Sequence, residues 1–121
     1  MNPLTEARLS VAESCEVTGW TVHASPPEVW TAPSIVVSPG DPWSQPYTLG
    51  SDRVNFNVTL AANVKGTNEA GLSEAEDQVY GALKALRAAG VISGEVPSPS
   101  MDQARNMLTV TVPVSVQVTD E

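Results

Sequence analysis

The sequence predicts an α+β domain: a mainly antiparallel or mixed β-sheet of about four to five strands with two helices packed on one face. Three observations predict it. Residues 53–61 and 108–118 alternate apolar and polar side chains with the period of a strand. Two other stretches, one at the start of the chain and one at 73–90, repeat apolar residues at intervals of three and four. Helices are also too few for a doubly wound parallel fold, which needs one between successive strands. With 121 residues the chain fits one domain, 1–121, around a single core.

Near the start, Leu4, Ala7, Val11 and Cys15 fall on one stripe of a helix, and Gly19 offers a stop. Thr21, Val22 and His23 form a short β-prone piece; Pro26-Pro27 interrupts it and Ser34-Ile35-Val36-Val37 resumes it, giving two strands with a stiff link. In the next stretch, Ser38-Pro39-Gly40-Asp41-Pro42-Trp43-Ser44-Gln45-Pro46, the prolines remove amide donors and the expectation is a long stiff loop. Trp43 in its middle either folds back over the core or faces a neighbouring subunit.

From 53 to 61, Val54, Phe56, Val58 and Leu60 point to the core, while Asn55, Asn57 and Thr59 meet water or a partner. Residues 63–71 are polar and read as a mobile connection. Ser73 and Glu76 have capping-box spacing, and Ala75, Val79, Ala82, Leu83 and Leu86 follow at helical intervals up to Gly90. Acids (Glu74, Asp77) precede bases (Lys84, Arg87) along that helix, the order its dipole favours, and Leu83 and Leu86 are expected to bury against the sheet. After a Pro/Ser connection at 96–100, Leu108, Val110, Val112, Val114, Val116 and Val118 alternate with polar residues and Pro113. Proline there argues for an edge position or a bulge, and a long edge invites pairing with another subunit.

Fourteen acidic residues against six basic ones give a formal charge of −8, which lacks the cations that grip phosphates. Either the acidity serves solubility, or it forms an anionic surface past which DNA slides. Cys15 and His23 are the only cysteine and histidine, so there is no internal disulfide, and a Cys/His zinc site is short of ligands. Cys15 reads as a small buried hydrophobe, and His23 as a surface or half-buried strand residue. No apolar run reaches the ~20 residues of a membrane span, and the start has no signal-peptide pattern, so a reducing cytosol is expected. Asn57-Val58-Thr59 then reads as strand rather than a glycosylation site.

No phosphate-binding glycine loop, nucleophile elbow or histidine metal motif is present in the sequence. Glu74, Glu76 and Asp77 have a capping role in view, and Glu13 and Glu16 read as a solvated helix face. Asp41 and Asp52 leave a carboxylate-bound divalent cation open as an alternative, without a spacing that supports it. The expectation is a protein that is not an enzyme and uses no cofactor and no metal.

Read as a whole, the chain resembles the tail terminator proteins of long-tailed, siphovirus-type phages of actinobacteria. The residues that carry the resemblance are Pro33-Ser34-Ile35-Val36-Val37-Ser38-Pro39-Gly40-Asp41-Pro42-Trp43, similar to that family's strand and following loop. The order of parts supports it: a leading helix, the alternating strand from Arg53, the helix ending Leu83-Lys84-Ala85-Leu86-Arg87-Ala88-Ala89-Gly90, and a valine-rich last strand.

The resemblance implies a structural virion protein that caps the completed tail tube as a ring, a hexamer, and joins it to the head. Its partners would be other copies of itself, the major tail tube protein and head-completion or connector proteins. DNA would pass through the ring without specific binding, and no membrane is involved. The place would be the head-proximal end of the virion tail, after assembly in the host bacterial cytoplasm. Asp41 and Trp43 match the loop motif and are the expected contact residues, flanked by Trp30 and Tyr47. Alternatives are another neck or tail component (head-closure, tail-completion or tail-tube subunit), or a monomeric cytosolic binding module with Trp43 as a pocket wall.

Overall fold

A computed structural model describes residues 3–17, 19–24, 33–48, 51–64, 69–92, 96–102 and 106–119. Their order is α1 (Pro3–Ser14), β1 (Thr21–His23), β2 (Ser34–Thr48), β3 (Ser51–Asn63), α2 (Glu69–Ala88), β4 (Ser100–Asp102) and β5 (Met107–Thr119). The strands form one mixed sheet in the order β1-β2-β3-β5-β4, parallel only between β1 and β2. This is the expected α+β fold with both helices on one face.

Strand alternation decides which residues meet the helices. Ile35, Leu60 and Val110 lie side by side across β2, β3 and β5, as do Val37, Val58 and Val112, and these rows continue through Phe56 and Val114. All are buried in one cluster with Ala7 and Val11 of α1, Cys15 just after it, and Ala75, Val79, Ala82 and Leu86 of α2. With Phe56 the one aromatic ring in this cluster, the core is held by interlocking aliphatic side chains at close-packed density.

The other face of the sheet is a polar ladder. Asn55 donates from Nδ2 to Gln45 Oε1 (3.2 Å) and accepts at Oδ1 from Ser115 Oγ (2.7 Å), tying β2, β3 and β5 together. Thr59 and Thr111 hydroxyls meet at 3.0 Å, and Gln117 Nε2 donates to Ser51 Oγ at 3.2 Å. Such cross-strand pairs fix register, since a slip of one residue would turn every valine of β5 outward. At one end this face is covered, because Ser34, Val36 and Ala61 are fully buried although they lie opposite the helices.

Several expectations need correction. The stretch 38–46 is not a loop: it belongs to β2, which pairs with β3 on both sides of an irregularity between Pro39↔Phe56 and Ser44↔Val54. Residues 40–43 there oppose the single residue Asn55, a wide bulge that absorbs the prolines without ending the strand. Gly40 makes the close approach possible, as a Cβ at that position would stand 2.9 Å from the Asn55 carbonyl oxygen.

At its N-terminus α2 begins at Glu69, so Ser73 and Glu76 lie inside the helix, and Gly71, expected in a mobile connection, is a buried helical residue. At the other end the expected stop holds. Val91 N–H donates to Leu86 C=O and Gly90 N–H to Arg87 C=O, with Gly90 at φ 81°, a Schellman cap. α1 ends at Ser14, before Gly19, which occupies a separate turn at φ 86° closed by Trp20 N–H on Val17 C=O. Of the two alternatives raised by Pro113, the bulge is absent, for all residues of β5 pair with β3 in continuous register.

Candidate assembly surface

Among the described residues, both long strands at the flanks of the sheet are open along most of one side. β4 covers β5 only at Met107, Leu108 and Thr109, so among the described residues nothing pairs with the outer side of β5 at 110–119. The open side explains how Pro113, which has no N–H to give, sits within an unbroken ladder to β3. β1 likewise covers β2 only at Ser34, Ile35 and Val36. Beyond these, Pro39, Pro42 and Pro46 deplete β2 of donors, so the two edges differ in character: one is donor-poor and bulged, the other regular.

Trp43 sits in the β2 bulge and is 48% exposed, which decides between the two fates left open by the sequence in favour of presentation to the surroundings. Asp41 and Tyr47 fall within β2, with side chains outside the described set, and Trp30 lies outside the described residues. The structure thus brings Asp41, Trp43 and Tyr47 to one strand and leaves Trp30 unplaced.

On the opposite flank the sequence reading missed a second apolar area. Tyr80 is 59% exposed on α2, and Met101 on β4 is also exposed. Between α2 and β5 runs a groove of 330 Å³ lined by Tyr80, Leu83, Val96, Pro97, Leu108 and Val110, among others. Leu83, expected in the core, is half-buried at this groove. Lys84 Nζ lies 4.9 Å from the centre of the Tyr80 ring. The signal for Tyr80 was present but weak: it lies one position off the apolar stripe of α2, where an aromatic has no core to enter.

The groups with chemical potential are dispersed. Cys15 is fully buried, and loss of solvation pushes its thiol up to about 11, far from a nucleophilic thiolate. His23 is half-buried with Nε2 shielded, and Ser34 Oγ is buried, both without a hydrogen-bond partner among the described residues. Among the described residues no group of three His, Cys, Asp or Glu side chains is placed to hold a metal ion. Among them, too, no helix is long and apolar enough to cross a membrane. No protein-family model and no curated protein sequence matches the chain.

Proposed function

We propose that this chain is a structural virion protein that caps the completed phage tail tube as a ring of identical subunits, six on the resemblance, and offers the joining surface for the head. The observation that carries the reading is the open outer side of β5 at 110–119, on the flank opposite the bulged edge of β2. Two unlike edges on opposite flanks favour head-to-tail association, the geometry that closes into rings. Exposed Trp43 on one flank and Tyr80 on the other supply the aromatic anchors typical of interfaces.

On this reading the ring would sit at the head-proximal end of the tail, between the major tail tube protein and the head-completion proteins. DNA in transit would meet no cationic groove, and an acidic lumen would reduce friction on its phosphates. The rival reading of a monomeric module with Trp43 as a pocket wall has less support, since Trp43 does not line the α2–β5 groove.

The test is electron microscopy of the protein mixed with tubes of the major tail protein. A single ring at one end of each tube is expected. Long tubes built from this chain alone would make it a tube subunit, and a monomer that leaves tube ends bare would overturn the proposal.

A further inference from the structure

β1, one of the strands on which α1 packs, has only three residues, so one flank of the helix has little sheet beside it. A groove of 780 Å³ results, where exposed Leu9 stands with half-buried Trp20 and Val22, and Glu6, Glu13 and Glu16 flank them. No cation lines it. α2, on the same face of the sheet, carries the complement: Tyr80, Leu83, Lys84 and Arg87, spaced as one helical stripe, with both cations exposed. Glu13 and Glu16 stand three residues apart, and so do Lys84 and Arg87. Among the described residues, none of these acids or bases has an ion-pair partner in its own chain.

We infer that the α1–β1 groove of one subunit receives the Tyr80–Arg87 stripe of α2 from the next copy of this chain, an inference that rests on the ring proposed above. Sheet order makes the two surfaces compatible with one head-to-tail contact: α1 reaches across to β5 as well as to β1 and β2, but its groove opens over Val22 of β1, whereas Tyr80 and Leu83 stand over Leu108 and Val110 of β5, so groove and stripe lie toward opposite flanks. The Tyr80 ring enters the apolar part beside Leu9 and Trp20, while Lys84 and Arg87 face the acids. Docking a foreign basic helix would use the same groove, but only the second copy explains why the matching stripe is present on this chain.

Charge exchange tests this in complexes with tail tubes, read by electron microscopy and native mass spectrometry. E13K/E16K and K84E/R87E should each weaken ring formation roughly tenfold, and the quadruple variant should recover most of it. All four positions are exposed, and circular dichroism should report an unchanged fold. Rings of normal yield from both double variants, or no recovery in the quadruple, would overturn the docking while leaving the ring in place. A wild-type chain that forms no ring at all would overturn both. Binding of a synthetic Leu/Lys amphipathic peptide to the groove with rings unaffected by the exchange would assign it to a foreign partner and overturn the inference.

Discussion

Leu86 and Leu83 lie three residues apart on α2 and make unequal contributions. Leu86 is 1% exposed beneath the Schellman cap, whereas Leu83 is half-buried at the α2–β5 groove. Leu86→Ala should therefore cost roughly 2–5 kcal/mol, and Leu83→Ala less, for it removes fewer contacts and leaves a site that water can fill. Urea unfolding of the two variants checks the order; equal losses would mean that Leu83 is covered more fully than its exposure indicates. Cys15 gives a pH prediction. Its folded thiol is held neutral up to about 11, against an ordinary value of 9.0. The neutral thiol is favoured by the fold, so this part of the stability is complete below pH 9.0 and is lost as pH rises through about 11. Melting temperatures across that range should fall more steeply for the wild type than for Cys15→Ala; parallel curves would show that the thiol is not desolvated.

At the scale of elements, β5 combines a fully paired inner side with an open outer side. Thr111 and Gln117 are exposed on its polar face, so Thr111→Lys with Gln117→Lys places charge along the open edge without entering the core. The variant should lose ring formation, and its melting temperature should fall by only a few degrees, roughly the worth of two side-chain hydrogen bonds, one exposed and one part-buried. Intact rings measured by light scattering would remove β5 from the interface. The alternation in β3 and β5 was plain in the sequence because each has one apolar and one polar face. β2 was half legible: Ser34-Ile35-Val36-Val37 read as strand, but Pro39, Pro42 and Pro46 hid its second half. Their missing donors matter little on an edge strand, and a bulge over Gly40 takes up the irregularity, so tertiary position overrode local propensity. The start of α2 was misplaced for a similar reason. Gly71 looks like a helix breaker locally, yet it is buried within α2. β4 is three residues paired to β5 and has no pattern long enough to read. Of the candidate assembly surface, Trp43 was legible from its proline-rich setting. Tyr80 and the α1–β1 groove were not, because exposure depends on how little sheet lies beside each helix.

For the whole molecule, the helices cover one face of the sheet and a polar ladder occupies most of the other, which among the described residues leaves the edges as the backbone surface with unmet hydrogen-bonding capacity. Association through those edges is the central claim, and the proposed ring follows from it. Hydrogen–deuterium exchange of β5, free and on tail tubes, measures it most directly. In the free protein the amides facing β3 should be protected and the outward amides at 110–119 should exchange fast; on tubes the outward set should slow by roughly a hundredfold or more. Unchanged exchange of those amides while the protein is bound to tubes would contradict the account.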